Sequence, residues 1–367
     1  MDDLPRDLKL EILLYLPIKS LLRLKCTSKS WLSLISDPYF TKLHFKRSSQ
    51  CPGRIFYPVG SEILSIDFNT SLHEDSAIVK LDLPLLKLHV DVNFILCSCR
   101  GFIFLKPRNE PTIFLWNPTT RVYKQVPIPQ PHDSILLYGF CYDEFVDDYL
   151  IVLASKYKTS DSSFYFLSGF DVFSVRTNSW EKHVFGQLII TSNNSPSIGS
   201  ISNKAIHWIV RINPSYGEKR EELIAFDITK KKLQEIPLPH ELEIELLRGI
   251  YTLYVHEGCI GLVVSGIFAD EIWVMREYGV KSSWTKIFSR PFNGERVYNC
   301  IFPLSPTKDG QLVAVYNHRL TKWSEKGELQ EHCPYFNQEK IERHSPCCCS
   351  DSFYPAAAYV ETLLSLP

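Results

Sequence analysis

A small all-α head of three to four short helices, followed by an all-β, six-bladed propeller, is the architecture this sequence predicts. Three observations predict it. The chain opens on the leucine-dense stretch "LPRDLKLEILLYLPIKSLLRLKCTSKSWLSLISDP", whose apolar residues recur at spacings of three and four. After the polar joint "KRSSQCPG" the pattern switches to short alternating runs separated by turns. Those runs repeat one phrase, an apolar strand, a polar turn and a second strand, at intervals of roughly fifty residues, the length of a propeller blade. The expected domains are a head over 1–46, a joint over 47–53 and a body over 54–367.

In the head, residues 5–16 carry Leu8, Ile12, Tyr15 and Leu16 on one side of a helix and Leu10, Leu13 and Leu14 on another, so that helix is apolar on more than one face. Pro17 interrupts it, and Ile18, Leu21 and Leu22 restart the spacing as far as Cys26. Trp31, Leu32, Leu34 and Ile35 mark a third helix. Asp37 and Pro38 have the form of a cap and a first-turn proline, and open a last helix with Tyr39, Phe40 and Leu43. A unit this small cannot shield all of these side chains. Each exposed leucine forgoes roughly 1.5–3 kcal/mol of burial, so something else must cover them. The head's own β body and a separate partner are both candidates. A helix-turn-helix DNA reader would have only Lys25, Lys29, Lys42, Lys46 and Arg47 for phosphates, and a membrane-surface helix would need its charges gathered on one face.

The body's repeated phrase appears as "IFLWNPTTRVYKQVPIP", "GFDVFSVRTNSWEKH", "IAFDITKKKLQEIPLP" and "IWVMREYGVKSSWTKIF", with Tyr123, Trp180, Leu233 and Trp284 at matching places. Blades are expected near 54–84, 94–129, 135–187, 197–239, 249–291 and 297–337. The first offers only three strands, whereas "AAAYVETLLSLP" at 356–367 has no blade of its own and should supply the fourth.

Composition narrows the function. There are 40 basic and 41 acidic residues with no long run of either sign, which argues against nucleic acid as a partner. The acidic opening "MDDLPRD" and the absence of roughly eighteen consecutive apolar residues predict neither secretory export nor a membrane span. Eleven cysteines suit a reducing compartment, cytoplasmic or nuclear. No catalytic residue, cofactor or metal is expected. Ser283 and Lys286 have an S-x-x-K spacing but fall in an expected strand, pointing to opposite faces. Cys97, Cys99, Cys333 and the run Cys347, Cys348 and Cys349 lack the spacing of a tetrahedral zinc site.

The order Leu4-Pro5, Ile12, Leu16-Pro17, Leu21, Leu22, Arg23, Cys26, Lys29 and Trp31 closely resembles the F-box. The body segments "CSCRGFIFL", "LWNPTTR", "LYGFCYD", "KAIHWIV", "AFDITKKK" and "AYVETLLSLP" resemble the F-box-associated, kelch-like domain of plant F-box proteins, among them relatives of the S-locus F-box proteins. The double-glycine signature of true kelch blades is missing, and "HSPCCCSD" at 344–351 has no counterpart in the family pattern. The resemblance implies a head that docks on a Skp-type adaptor, and through it on cullin and RING subunits. The chain would then be the non-catalytic substrate-recognition subunit of a ubiquitin ligase, presenting a protein whose identity the sequence does not give. Leu4, Pro5, Ile12, Leu16, Leu21, Leu24, Cys26 and Trp31 are the expected adaptor contacts or their direct supports. The other function class is a propeller enzyme or glycan binder whose head merely packs on its body.

The joints between second and third strands, "KPRNEP", "SKYKTSDSS", "NPSYGEKRE" and "SGIFADE", vary in length and polarity, whereas the third-to-fourth turns are short and alike. Because strands alternate in direction, the variable joints share one end of the ring, which makes that end the expected recognition face. Tyr157, Lys158, Tyr216, Lys219, Arg220 and Phe268 are the candidates there, on the binding preferences of aromatic and basic side chains.

Overall fold

Pro5 and Pro17 each stand just ahead of a helix, where a missing N–H costs nothing and the fixed φ suits the first turn. They open α1 (Arg6–Leu14) and α2 (Ile18–Lys25). The Ser28 side chain accepts the Trp31 N–H to cap α3 (Lys29–Ile35), and Asp37 accepts the Tyr39 N–H at the start of α4 (Pro38–Ser48). The computed structural model describes residues 5–48, 53–59, 62–83, 94–107, 110–129, 135–157, 165–190, 197–212, 220–239, 242, 250–265, 269–291, 301–307, 309–316, 319–324, 326–333 and 356–367. Leu13, Ile18, Leu21, Ile35 and Phe40 form the head's buried core, with Leu10 and Leu14 packed against it. The opposite side of α1 points outward, leaving Leu8 and Ile12 nearly half exposed and Tyr15 70% exposed. Among the described residues no helix is long and apolar enough to cross a membrane.

The body is an all-β propeller of antiparallel meanders. The first sheet is built from β1 (Arg54–Val59), β2 (Glu62–Asp67) and β3 (Ile78–Leu81), the second from β4 (Phe94–Cys99), β5 (Phe102–Pro107), β6 (Thr112–Trp116) and β7 (Tyr123–Pro127). Then follow β8 (Ile135–Asp143), β9 (Asp148–Ser155), β10 (Tyr165–Ser174), β11 (Ser179–Ile190), β12 (Ser197–Ile198), β13 (Ser200–Ser202), β14 (Ala205–Ile212), β15 (Arg220–Asp227) and β16 (Lys232–Ile236), hydrogen-bonded as one nine-stranded sheet. Two more four-stranded sheets hold β17 (Ile250–His256), β18 (Cys259–Ser265), β19 (Ala269–Met275) and β20 (Trp284–Pro291), then β21 (Ile301–Pro306), β22 (Leu312–Tyr316), β23 (Arg319–Trp323) and β24 (Leu329–His332). Lastly β25 (Ala357–Tyr359) lies antiparallel beside β1, with Arg54 opposite Tyr359, Ile55 opposite Ala358 and Phe56 opposite Ala357. The segment 356–367 therefore supplies the strand missing from the first sheet, as strand counting predicts.

The expectation of six separate blades needs correction. Four four-stranded sheets stand apart, but the third and fourth expected units are merged. Two features join them. The twelve-residue β11 runs on until Ile190 pairs with Ile212 at the end of β14. The strand at 197–202 is also broken at Gly199, where a Cβ would stand 2.4 Å from Ile206 and 2.7 Å from the Trp208 ring. Its first half pairs in parallel with β8, and its second half pairs with β14. Around the axis, side chains and backbone of β4, β8, β12, β13, β17, β21 and β25 line a channel of about 490 Å³.

Repeated tryptophans tie neighbouring units. Trp180 Nε1 donates to the Pro127 carbonyl at 3.1 Å, and Trp284 Nε1 to that of Pro237 at 2.9 Å. The sequence repeat thus marks a contact between one outer strand and the end of the one before it.

Residues 360–367 have a second task. The Asn117 side chain, fully buried in "LWNPTTR", donates to the carbonyls of Thr362 (3.2 Å) and Leu364 (3.1 Å), while its oxygen accepts the N–H groups of Thr119 and Thr120. Gly101, at φ +83°, passes so close that a Cβ would lie 2.2 Å from the Thr362 methyl and 2.6 Å from the Val360 carbonyl. Held this way, Leu364 enters the core shared by Phe102, Leu115 and Phe140, and Leu363 points the other way into the core of the head. The Lys42 ammonium adds an ion pair to Asp147 at 2.7 Å, and the Arg100 guanidinium lies over the Phe45 and Tyr142 rings. So the head does rest on its own body, through α4 and this segment, with the Ile12 side left open.

One polar bridge inside the body makes a pH prediction. His207 on β14 is fully buried; its Nδ1 lies 3.2 Å from the Ser200 carbonyl, which can only accept, so Nδ1 carries the proton and Nε2 accepts from the Tyr278 hydroxyl at 2.8 Å. Burial pulls its pKa down to about 4. Above pH 6.5 the imidazole is neutral folded or unfolded, but between 6.5 and about 4 only the unfolded chain takes up the proton. Stability should therefore fall by about 3 kcal/mol across that window as pH is lowered. Urea unfolding of the wild type should show this extra loss relative to His207→Gln, and parallel pH profiles for the two would refute it.

Candidate functional site

The open side of the head is a groove. Ile12, Leu13 and Leu16 from α1 and the turn after it, Leu24 from α2 and Trp31 from α3 wall a space of about 350 Å³, with Lys9 and Arg23 on its rim. Its origin is the double apolar face of α1. Leu13 turns inward and is buried, whereas Ile12, one residue away, is 43% exposed. The Ser28 cap on the Trp31 N–H sets the start of α3, so the indole borders the groove at a fixed place. His44 on α4 holds the Leu16 backbone in place, its Nε2–H donating to the Leu16 carbonyl at 3.1 Å. Such a surface offers hydrocarbon, an indole and two flanking cations. It suits an apolar helix or loop of a partner.

The eight residues expected to meet an adaptor separate into classes that periodicity does not distinguish. Ile12, Leu16, Leu24 and Trp31 line the groove. Leu21 is wholly buried in the head's core, so it supports the surface from beneath. Cys26 is exposed beyond the groove, its thiol directed at the Leu22 carbonyl, and Pro5 is exposed ahead of α1. Leu4 lies outside the described residues.

At the ring, the first-to-second and third-to-fourth turns that carry Arg100, Asn117 and Asp147 face the head. Strand alternation places the second-to-third joints at the far end. Of the six residues expected there, Tyr157 is half-buried; it bridges Phe166 through backbone bonds, and their rings lie 5.6 Å apart. Arg220 begins β15 opposite Ile212. Lys158, Tyr216, Lys219 and Phe268 lie outside the described residues, as does the cysteine run at 347–349.

Charged groups that sequence reasoning missed sit just beneath those joints. Arg290 pairs with the fully buried Asp270 and lies over the Tyr316 ring at 4.3 Å and the Trp323 ring at 5.3 Å. Burial raises the Asp270 pKa, and the Arg290 charge opposes that rise. Arg211 pairs with the buried Glu221, and Lys156 reaches over Tyr165. Lys156, Glu221 and Asp270 lie within the quoted joints "SKYKTSDSS", "NPSYGEKRE" and "SGIFADE", whereas Arg211 and Arg290 carried no positional signal. The Arg290 cluster joins side chains from two successive sheets, which no local pattern marks.

The S-x-x-K pair is committed elsewhere. Ser283 does not lie in a strand as expected; it ends a 3₁₀ turn (Lys281–Ser283), where its hydroxyl donates to backbone carbonyls and accepts the Glu277 N–H, while Lys286 on β20 bonds Glu271. The Ser283 hydroxyl bonds back to the Glu277 and Val280 backbone, which holds the turn in place. Burial pushes the thiols of Cys97 and Cys141 well up and that of Cys99 to about 12, so they remain protonated and behave as small apolar groups. Among the described residues, no three His, Cys, Asp or Glu side chains gather in a metal-binding cluster.

Known proteins align with both parts of the chain. Residues 1–43 match the F-box domain and residues 63–328 the F-box associated beta propeller domain. The F-box/kelch-repeat protein At3g23880 of Arabidopsis thaliana is 27% identical, covering 79% of this chain and 80% of its own length. The F-box protein CPR1 of Arabidopsis thaliana is 24% identical over 85% of this chain and 79% of its own. Among solved structures, the SapL1 lectin in complex with alpha methyl fucoside overlaps at a TM-score of 0.44 with 8% identity, covering 78% of this chain and 98% of that one. With an F-box at its head and the associated propeller matched over most of its body, the chain belongs to the F-box proteins that carry an F-box-associated β-propeller domain.

Proposed function

We propose that this chain is the substrate-recognition subunit of a Skp-type adaptor, cullin and RING ubiquitin ligase, working in the cytoplasm or nucleus without catalysing any step itself. The observation that carries the reading is the groove walled by Ile12, Leu16, Leu24 and Trp31, apolar side chains left open on a head whose other face is already occupied by its own body. A packing-only head would leave no such surface. Division into a head at 1–46, a joint at 47–53 and a propeller at 54–367 goes with this reading. So does a six-bladed ring, in which the nine-stranded sheet counts as two blades sharing an edge, an arrangement supported by the inner strands around the channel. The body would capture a protein at its variable end, on the side away from the head, where arginine and aromatic side chains such as Arg290 and Tyr316 meet.

Ile12 borders the groove outside the head's core, so Ile12→Ala should leave the fold intact, whereas Trp31 also packs against that core and Trp31→Ala is paired with an unfolding measurement. A loss of roughly 2 kcal/mol or more at such anchors corresponds to an adaptor affinity about thirtyfold weaker. Titration of a purified Skp-type adaptor measures it; an unchanged Kd would remove the groove from the interface. Replacing the joints at 158–164 and 213–219 by short glycine-serine turns should keep adaptor binding and abolish ubiquitination of the captured protein. Retained ubiquitination would move capture to the head-side end or the rim.

A further inference from the structure

The groove is only one wall thick. Leu13 borders it from within and, at 2% exposure, also belongs to the buried core of the head, where Ile18, Leu21, Ile35 and Phe40 meet Leu363. Leu363 is not part of the head's own sequence. It comes from the segment that closes the ring, is itself 4% exposed, and is held on both sides by the body: the carbonyls of Thr362 and Leu364 accept from Asn117, and the Thr362 N–H reaches the Thr119 hydroxyl. Three residues before Thr362, Tyr359 ends β25, with its hydroxyl 2.7 Å from Ser65 Oγ on β2. The side chain that completes the head is thus positioned by a ring already closed.

We infer that the adaptor site on the head is conditional on ring closure, with Leu363 as the positioning residue that couples them. A core of three or four short helices has little burial to spare, and a leucine-sized cavity beneath Leu13 would let α1 and α2 shift against each other. The groove that those helices wall would lose its shape before an adaptor arrives. Part of the adaptor's binding free energy would then go into reordering the head. A chain whose 356–367 segment is not seated would accordingly engage the ligase poorly, which keeps a propeller with open strand edges from being presented as a receptor. Leu363 shares this core with Leu13, so its action runs through Leu13 and its neighbours.

This inference rests on the adaptor reading above, and the experiment separates the two. In the full-length chain, the series Leu363→Met, Leu363→Val and Leu363→Ala removes volume stepwise while leaving β25 and the Asn117 clamp in place. Affinity for the Skp-type adaptor should fall with removed volume, about tenfold or more for alanine, and stay near wild type for methionine. Hydrogen exchange should quicken in α1–α4 and remain unchanged in β1, β2 and β25. The milder variants keep the series readable if alanine does not fold. An adaptor Kd that stays constant across the series overturns the coupling and leaves the adaptor reading standing. Failure of the unaltered chain to bind any Skp-type adaptor overturns both.

Discussion

The structure depends on the clamp that Asn117 and Gly101 place on residues 360–364. A propeller must join its first and last units or leave two strand edges open to other chains, and β25 beside β1 makes that joint. Three residues of pairing are a short seam. What secures it is the stretch that follows, where a fully buried asparagine uses both ends of its amide, and a glycine at positive φ lets the two backbones approach more closely than any side chain would allow. From that fixed line Leu363 and Leu364 diverge, one into the helical head and one into the β core, so a single extended segment is shared by both halves of the molecule.

That economy bears on function. On the function proposed above, a receptor in a ubiquitin ligase must hold its captured protein at a set place relative to the adaptor, and a free hinge between head and propeller would blur that placement. Here the head is fixed by Leu363, by the Lys42–Asp147 ion pair and by Arg100 stacked on Phe45. All of these lie at the end of the ring that carries the short, similar turns. The Arg290–Asp270 and Arg211–Glu221 pairs lie toward the other end, at the ends of β14, β15, β19 and β20. One end of the ring is thus committed to holding the head.

Much of this is written locally in the sequence. The helices follow from three-and-four spacing and from Pro5, Pro17, Ser28 and Asp37 at their starts, and the short first sheet together with the unassigned "AAAYVETLLSLP" foretells the closure. Spacing does not show which face of α1 is core, because Leu13 and Ile12 are equally apolar; the core that buries Leu13 is assembled from α2, α3, α4 and Leu363, the last from nearly the other end of the chain. For the same reason Leu21 could not be told from a surface contact. Separate blades were expected where the structure has one nine-stranded sheet, since a single pairing of Ile190 with Ile212 and a break at Gly199 leave no periodic trace. The Arg290 cluster is invisible for the same physical reason: it is assembled across sheets. Conversely, the neighbouring motifs "CSCRGFIFL" and "LWNPTTR" and the distant "AYVETLLSLP" prove to be the parts of one clamp.

The central claim is that the segment 356–367 holds the ring closed, and deleting it tests that claim most directly. Thermal unfolding of the truncated chain, followed together with light scattering, should show a large drop in Tm and aggregation, because two strand edges and the apolar sockets of Leu363 and Leu364 become exposed. A truncated chain that stays monomeric and melts at the wild-type temperature would contradict it.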